Sequence, residues 1–293
     1  MPELPEVETV RRGLEQQTLG MRIARVEVIR QRAVAFPPDP ALFCLGLRDT
    51  TIRGWQRRGK YLTAALEDGA QQEAGHWGVH LRMTGQFLWL PGAAESQPAE
   101  GVGQPEPGPH TRLRIWSDQG EELRFIDVRS FAQMWWVPPR WPIERVITGL
   151  ARLGPEPFDE AFSAPYLKER LRGTSRPIKS ALLDQALVAG VGNIYADESL
   201  FAARINPHTP AGRLSRPALE RLRQALVAVL EASIGAGGTT FSDFRDLTGT
   251  NGNYGGKASV YRRAGLPCPT CGAPIQRDRL SGRSTHWCSS CQR

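Results

Sequence analysis

The pattern of apolar and polar positions predicts one helix at the start of the chain and short strands after it. Apolar side chains recur at helical spacing over residues 3–20, and Gly20 suits the end of that helix. The next apolar segments, 21–23 and 26–28, alternate like strands but are out of phase, which predicts a β-bulge between them. Further strand-like segments lie at 61–66, 87–90, 113–116 and 123–126. Short strands joined by turns favour a β-sandwich or barrel over residues 20–137.

The second half of the chain has a helical pattern. Residues 137–142 are rich in proline, which predicts a linker without regular structure. Ser215, with a proline two positions later, predicts the start of a helix whose apolar stripe runs as far as Gly235. Two more helices are predicted over 178–190 and 193–203, and a glycine-bearing turn separates them. The chain therefore divides into a β-rich first part and a helical second part.

Two stretches rich in glycine show no apolar periodicity. Residues 91–109 combine Gly, Pro and Ala with acids and no basic residue, so we expect a solvated, flexible loop inside the β-rich part. Residues 235–256 contain many glycines and hydroxyl side chains, and we expect no regular structure there either.

The distribution of charge points to an anionic partner. The chain of 293 residues carries 37 Lys and Arg against 30 Asp and Glu, a net charge of +7. The excess lies at the C-terminal end, where residues 257–293 contain seven basic side chains and one acid. Such a basic segment favours nucleic acid among the possible partners, although the net charge alone is weak support for it.

The apolar segments also exclude some classes of protein. No run of about 18 apolar residues occurs, so we predict no membrane span and no membrane partner. The start of the chain has neither the basic region nor the apolar core of a secretory signal. We therefore expect a cytoplasmic protein whose thiols stay reduced.

Four cysteines form the strongest local motif. Cys268 and Cys271 make one Cys-x-x-Cys pair, and Cys288 and Cys291 make a second pair sixteen residues later. This spacing brings four thiolates into a tetrahedron suited to one zinc ion. Iron in a rubredoxin-like site and disulfides in an oxidising compartment are the alternatives. Four sulfur ligands leave no open coordination position, so we expect a structural metal.

Three arginines lie between the two cysteine pairs, and few acids accompany them. They are Arg277, Arg279 and Arg283. Arginines on a small rigid hairpin suit contacts with phosphate, whereas the alternative is an ordinary solvated face.

The first residues of the chain offer a candidate nucleophile. Removal of Met1 would expose the secondary amine of Pro2, which is neutral at pH 7 more often than the amine of lysine. A neutral secondary amine attacks an aldehydic carbon and forms an iminium ion. Glu3 and Glu6 lie close in sequence and suit proton transfer. Taken alone, however, acids in a first helical turn are equally well explained as caps.

Seven segments along the chain together resemble the formamidopyrimidine-DNA glycosylase family. They are residues 2–9, 58–62, 80–85, 127–131, 182–185, 188–198 and 260–263, followed by the four cysteines. The resemblance implies an α+β fold in which an N-terminal β-sandwich with a leading helix precedes a helix–two-turn–helix domain and a zinc finger, with DNA in the cleft between the domains. The expected domains are 1–137 (catalytic β-sandwich), 138–149 (linker), 150–256 (helix–two-turn–helix) and 257–293 (zinc finger).

The resemblance also assigns roles to individual residues. Pro2 resembles the nucleophile on deoxyribose carbon 1, Glu3 the acid–base group, and Lys60 a lysine that contacts phosphate and the damaged nucleotide. Base extrusion leaves a vacancy in the stack. Met83, Arg129 and Phe131 resemble the three side chains that fill this vacancy in the family, and Glu6 resembles a supporting residue near the active site. Asn193 and Arg283 resemble residues that bind phosphates together with Lys60, and His80 is a further expected DNA contact. Residues 248–257 resemble a mobile loop that closes over the extruded purine.

Around Arg129 and Phe131 this chain departs from the common family pattern. Val128, Ser130 and Ala132 stand where Pro, Arg and Gly are more usual. The two key side chains are retained, but the loop conformation does not follow from the resemblance.

The implied activity is base-excision repair of oxidised purines. Pro2 would displace 8-oxoguanine or a formamidopyrimidine from duplex DNA, and β- and δ-elimination would then cut the strand. We expect a monomer with one structural zinc and neither a catalytic metal nor an organic cofactor. The alternatives are an endonuclease VIII-like glycosylase for oxidised pyrimidines, a catalytically silent damaged-DNA-binding protein and a zinc-ribbon RNA-binding protein.

Overall fold

A computed structural model describes residues 2–92, 106–239, 247 and 252–293. The chain divides into two compact units. The N-terminal unit contains Pro2 and Glu6–Ala151, and the C-terminal unit contains Glu3–Pro5, Arg152–Thr239 and Asn253–Arg293. In the described residues no helix is long and apolar enough to cross a membrane.

The N-terminal unit is a sandwich of two sheets. Its helices are α1 (Leu4–Thr18), α2 (Pro40–Leu47) and α3 (Ile143–Val146). Its strands are β1 (Ile23–Val28), β2 (Val34–Phe36), β3 (Thr51–Arg58), β4 (Tyr61–Glu67), β5 (Glu73–His80), β6 (Gly85–Leu90), β7 (Thr111–Ser117), β8 (Glu122–Asp127) and β9 (Gln133–Val137). One sheet has the order β1-β7-β8-β6 and the other β2-β9-β5-β4-β3. Among the described strands β2 and β9 pair in parallel, and the other pairs are antiparallel.

Both sheets share one apolar core, which confirms the predicted sandwich. Phe87 and Phe125 from the first sheet pack in the same buried cluster as Trp77 from the second. Their rings meet edge to face, with centroids 5.8 Å apart for Trp77 and Phe87 and 4.9 Å for Phe87 and Phe125. The predicted bulge is present, because the register of β1 against β7 shifts between Ile23 and Arg25.

The segment after β9 is irregular and then helical. Residues 138–142, within the proline-rich stretch, form neither helix nor strand, and α3 follows them inside the predicted linker 138–149. Ile147, only 1 % exposed, packs with Trp135 and Val137 of β9 in a small apolar cluster. The three prolines of 137–142 prevent regular structure only locally, because the apolar residues after them find a buried surface to cover.

The C-terminal unit contains four helices. They are α4 (Ala164–Arg170), α5 (Ile178–Leu182), α6 (Asn193–Ala202) and α7 (Arg216–Gly235). Ser215 caps α7 as predicted, since its hydroxyl accepts a hydrogen bond from the backbone N–H of Ala218 at 3.3 Å. Leu219, Leu222 and Leu226 on the predicted stripe are buried.

The helix predicted over 178–190 is wrong in its second half, because α5 ends at Leu182. The side chain of Gln185 explains the difference. Its Nε2 donates to the backbone oxygen of Val191 at 2.8 Å, and its Oε1 accepts from the backbone N–H of Gly190 at 3.0 Å. Gly190 has a φ of 84°, a conformation that favours glycine, so this segment forms a held loop and not a helix.

The zinc finger contains a two-stranded hairpin of β10 (Gln276–Leu280) and β11 (Arg283–Trp287). Ser281 and Gly282 form its turn with φ values of 49° and 78°, the left-handed pair that a tight hairpin requires.

Before the finger, Tyr254–Lys257 forms a short 3-10 helix with Tyr254 buried, so the expectation of no regular structure over 235–256 is wrong at its end. Parts of the two predicted flexible loops, residues 93–105, 240–246 and 248–251, lie outside the described residues.

Candidate active site and zinc finger

Three predicted site residues are buried in the N-terminal unit. Pro2 is buried, and Met1 before it lies outside the described residues. Glu6, in the first turn of α1, is 1 % exposed, and Lys60 is 8 % exposed. Gly59 and Lys60 form the tight turn between β3 and β4, where Gly59 has a φ of 57°. Because glycine tolerates this left-handed conformation, Gly59 allows the tight turn that places Lys60 between the two strands.

His80 lies opposite Tyr61, the residue after Lys60, in the register of β5 against β4. Burial, together with the charges of Arg82 and Lys60, lowers the pKa of His80 to about 3. The imidazole is thus neutral at physiological pH. Its Nδ1 accepts a hydrogen bond from the backbone N–H of Arg82 at 3.0 Å, so its proton is on Nε2. His80 can offer a hydrogen bond to an acceptor such as phosphate, but no positive charge.

The structure brings the predicted void-filling side chains together. Met83, on the loop between β5 and β6, and Phe131, on the loop between β8 and β9, line one cavity of about 470 Å³. Phe131 is 42 % exposed, which is unusual for a large apolar side chain. The guanidinium of Arg129 lies 4.9 Å from the centroid of the Phe131 ring, and the guanidinium of Arg32 lies 6.0 Å from the same centroid. An exposed ring with cations beside it suits insertion between stacked bases.

The residues that depart from the family pattern are compatible with this loop. Ser130 has a φ of 54°, a left-handed conformation that a small polar residue tolerates better than a branched one. Ala132 is buried, and it packs in the apolar core of the N-terminal unit.

In the C-terminal unit, Glu3 is bound to the N-terminus of α6. Its carboxylate accepts hydrogen bonds from the backbone N–H of Ile194 at 3.0 Å and of Tyr195 at 3.4 Å. Glu3 is 2 % exposed. A Cβ atom on Gly192 would lie 2.3 Å from Cδ of Glu3, so only glycine allows the carboxylate to approach this closely. The helix terminus therefore fixes a buried acid in one orientation.

Asn193, the first residue of α6, contacts the zinc finger. Its Nδ2 donates to the backbone oxygen of Ser284 at 3.0 Å. Arg283, the residue before Ser284, is exposed. The structure thus brings two of the predicted phosphate contacts, Asn193 and Arg283, into the same part of this unit.

Sequence reasoning missed a buried ion pair behind this contact. Lys179 of α5 is 1 % exposed, and its Nζ lies 2.7 Å from Oδ1 of Asp197 in α6. The same Nζ donates to the backbone oxygen of Ser284 at 2.7 Å and to the hydroxyl of Thr285 at 2.9 Å. The other oxygen of Asp197 accepts from the backbone N–H of His286 at 2.9 Å. Lys179 in a short, mostly apolar segment and the adjacent acids Asp197 and Glu198 are visible in the sequence, but nothing there pairs Lys179 with Asp197.

Glu198 makes a second connection from α6 to the segment before the finger. Its carboxylate accepts from three consecutive backbone N–H groups, those of Ser259, Val260 and Tyr261, at 2.8–2.9 Å. Burial raises the pKa of Glu198, and these three N–H donors oppose that effect. Two adjacent acids on α6 therefore bind this part of the chain, Asp197 at β11 of the finger and Glu198 at the segment before it.

The four finger cysteines fit one zinc ion. Their Sγ atoms all lie within 4.8 Å of one another. The Sγ atoms of Cys268 and Cys291 are 3.9 Å apart, and those of Cys271 and Cys288 are 3.5 Å apart. Tetrahedral Zn–S bonds of about 2.3 Å place sulfurs roughly 3.8 Å from one another, so the spacing agrees. It is far too long for disulfides. The ion would be structural, because its four ligands complete the coordination.

Three family models cover most of the chain. They are the formamidopyrimidine-DNA glycosylase N-terminal domain at residues 1–134, the formamidopyrimidine-DNA glycosylase H2TH domain at 153–245, and the zinc finger found in FPG and IleRS at 265–293. The chain belongs to the formamidopyrimidine-DNA glycosylase family. The resemblance stated from the sequence is thereby confirmed.

Relatives in this family match the chain over its whole length. The formamidopyrimidine-DNA glycosylase of Parasynechococcus marenigrum is 63 % identical over 292 residues, which covers 100 % of both chains. The structure of the MutM (Fpg) protein from Thermus thermophilus has a TM-score of 0.83 at 40 % identity and covers 99 % of this chain and 98 % of its own. A Lactococcus lactis Fpg complex with DNA containing an abasic site has a TM-score of 0.85 at 32 % identity, with 99 % of each chain covered.

Proposed function

We propose that this protein is a base-excision repair enzyme that removes oxidised purines from duplex DNA and then cuts the strand at the resulting abasic site. The observation that carries the proposal is that the start of the chain is buried. Glu3, the residue after Pro2, is hydrogen-bonded to the N-terminus of α6. Formamidopyrimidine-DNA glycosylases of high identity, and Lactococcus lactis complexes with abasic-site and Fapy-dG DNA, support it.

The reaction begins at the nitrogen of Pro2 once Met1 has been removed. The amine attacks carbon 1 of the deoxyribose, the bond from that carbon to the base breaks, and the base leaves with a proton. Ring opening breaks the bond from carbon 1 to the ring oxygen, which takes a proton, and gives an iminium ion that withdraws electrons from carbon 2. Loss of a proton from carbon 2 expels the 3′ phosphate, and loss of a proton from carbon 4 in a second elimination expels the 5′ phosphate. Water then hydrolyses the iminium ion and frees the nitrogen of Pro2. Glu3 is the group we assign to the proton transfers.

The remaining site residues bind and position the DNA. In this proposal Lys60 contacts phosphate and the damaged nucleotide, and Glu6 supports the active site from the first turn of α1. Met83, Arg129 and Phe131 fill the space left by the extruded base. His80, Asn193 and Arg283 contact phosphates, the first as a neutral donor and the last as a cation.

The proposal also covers the zinc ion, the domain bounds, the location of the enzyme and its partner. Zinc holds the finger and takes no part in bond breaking. The domains are 1–137, 138–149, 150–256 and 257–293, with residues 248–257 closing over the extruded purine. We place the enzyme in the cytoplasm, associated with the nucleoid when it acts on DNA, and we expect a monomer whose partner is double-stranded DNA with oxidised bases or abasic sites.

Borohydride trapping tests the proposal. The purified protein, with loss of Met1 established by intact mass spectrometry, is mixed with duplex DNA containing 8-oxoguanine opposite cytosine. A covalent protein–DNA adduct is expected for the wild type, and none for Pro2→Gly. Absence of an adduct from a processed wild-type chain would overturn the proposed chemistry. A clear preference for thymine glycol over 8-oxoguanine would instead move the enzyme to the pyrimidine-directed branch.

A further inference from the structure

One buried carboxylate joins the two loops that carry the void-filling side chains. Asp127, the last residue of β8, is 1 % exposed. Its Oδ1 accepts the hydroxyl proton of Thr84, which follows Met83, and its Oδ2 accepts from the backbone N–H of Ala132, which follows Phe131, at 2.8 Å. The carboxylate therefore binds one residue of each loop at once.

The hydroxyl of Thr84 completes this connection. Its oxygen accepts a hydrogen bond from the backbone N–H of Arg129 at 3.0 Å while its proton goes to Asp127. A threonine hydroxyl can donate one hydrogen bond and can also accept one, and Thr84 does both between the two loops. The register explains the proximity, because Gly85, the next residue along, pairs with Asp127 across β6 and β8.

Two further contacts hold the same arrangement. The guanidinium of Arg82 donates to the side-chain oxygen of Gln133, which is a second link between the loops. Nε of Arg112 donates to the backbone oxygen of Asp127 at 2.8 Å and so holds the backbone of that residue. Arg82 and Ser130 both have a φ of 54°, so each loop contains a residue in the left-handed region that its surroundings must hold in place.

A wedge that enters the base stack gains from being ordered before the DNA arrives. Loops that become ordered only on binding lose conformational entropy at that moment, and this cost opposes insertion. A hydrogen-bonded connection through Asp127 removes part of the cost, because Met83 and Phe131 are already held near each other around one cavity.

From this geometry we infer that Asp127 and Thr84 are positioning residues that lock the Met83 loop and the Arg129–Phe131 loop into one preformed wedge. Neither residue touches the sugar in this assignment, which rests on the proposed function. Extrusion of a base from a duplex therefore depends on them. Chemistry at an abasic site in a single strand does not, because no stack has to be opened there.

The test uses Thr84→Val, which keeps the shape of the side chain and removes the hydroxyl. Thr84→Ser restores the hydroxyl, and Thr63→Val on β4 is the matched control for a Thr-to-Val change in the same unit. Each variant is assayed in single turnover on duplex 8-oxoguanine and, separately, for nicking of a single-stranded abasic site. Stopped-flow fluorescence of 2-aminopurine beside the lesion reports base unstacking directly.

We expect Thr84→Val to excise from the duplex about tenfold more slowly, which is the effect of losing roughly one or two net hydrogen bonds. The rise in 2-aminopurine fluorescence should slow equally, whereas single-strand nicking stays at the wild-type rate. Thr84→Ser should restore both. Asp127→Asn, in which an amide cannot accept at both atoms, should reproduce the defect if its melting temperature shows that it folds.

Duplex excision at the wild-type rate by Thr84→Val would overturn the inference. Equal loss of duplex and single-strand activity would also overturn it, since that result indicates a general structural role. A wild-type enzyme that neither excises 8-oxoguanine from the duplex nor nicks the abasic site is a separate result, which contradicts the proposed function itself.

Discussion

The ammonium of Lys179 lies 2.7 Å from the carboxylate of Asp197, and both side chains are almost completely buried. Burial lowers the pKa of Lys179, and the charge of Asp197 acts in the opposite direction. Because the same two side chains also bind backbone groups of Ser284 and His286 in β11, the ion pair connects the zinc finger to the helices. The finger is thus held by charge as well as by its metal.

Asp197→Asn should destabilise the C-terminal unit strongly. The variant leaves the Lys179 ammonium buried without its counter-charge, and removing one partner of a buried pair costs about 3–5 kcal/mol. Urea unfolding followed by fluorescence measures the change in the free energy of unfolding. The control is Glu220→Gln on α7, which breaks a partly exposed pair with Arg223 and should change it by less than about 1 kcal/mol. Equal stability of Asp197→Asn and the wild type would contradict the role assigned to the pair.

Gly192→Ala should impair catalysis by moving Glu3. The added Cβ would lie 2.3 Å from Cδ of Glu3, so the carboxylate must leave the N–H groups of Ile194 and Tyr195. Because Gly192 has an ordinary φ, the defect would come from this contact alone and not from backbone strain. Single-turnover excision should fall by a factor of at least ten, which corresponds to about 1.4 kcal/mol.

Gly235→Ala is the matched control for that prediction. It lies in the last turn of α7, and a Cβ there meets nothing within 4 Å. Alanine favours helix over glycine by roughly 1 kcal/mol, so this variant should be active and slightly more stable. If both alanine variants excise at the wild-type rate, the carboxylate of Glu3 does not depend on its position at α6.

The elements predicted correctly from sequence are those whose signals are local. Ser215 caps α7 with its own hydroxyl, and the cysteine spacing alone specifies the metal cluster. Strand β5 was not predicted, because Trp77, Gly78 and Val79 are buried in succession and show no alternation. Gly78 is covered on its open side by Ile147, whose Cδ1 would lie 2.3 Å from an added Cβ. The second face of β5 is buried by Ile147, about seventy positions away in the sequence, and the apolar periodicity of the strand cannot reveal such a contact.

The same distinction applies to the candidate site. Pro2, Glu3 and Lys60 were found because they lie in recognisable segments, and their roles stay predictions. Asp127 and Lys179 act through partners that are distant in sequence. Asp127 lies in a segment that resembles the family, but neither that segment nor the one around Lys179 indicates which groups these side chains bind. Their importance becomes visible only when the hydrogen-bond partners of each buried polar atom are known.

The neutral His80 predicts a specific dependence of stability on pH. Its pKa is about 3 in the folded chain, against about 6.5 for an unfolded histidine. Between these values the unfolded chain binds a proton that the folded chain does not, so this contribution to stability is complete above about pH 6.5 and is lost as the pH falls toward 3. The largest slope for one proton is about 1.4 kcal/mol per pH unit.

His80→Gln should remove this contribution. Thermal melts between about pH 4 and pH 7 give the slope for the wild type and the variant, and the difference isolates the histidine because the carboxylates are common to both. Thr63→Val, which removes no titrating group from the same unit, is the control and should keep the wild-type slope. An identical slope in His80→Gln would mean that the imidazole is not neutral in the folded chain.

Arg283 should account for about one phosphate contact. It is exposed at the start of β11, beside the Ser284 oxygen that Asn193 and Lys179 bind, so its backbone is fixed while its guanidinium is available. Arg283→Gln should weaken binding to duplexes of every sequence alike and reduce the slope of log K against log salt by about 0.9, the value for one released counterion. Fluorescence anisotropy with a non-cleavable abasic analogue at several salt concentrations measures both quantities. The control is Arg172→Gln, at an exposed arginine outside the finger, which should keep the wild-type salt slope. An unchanged salt slope in Arg283→Gln would show that the guanidinium of Arg283 binds no phosphate.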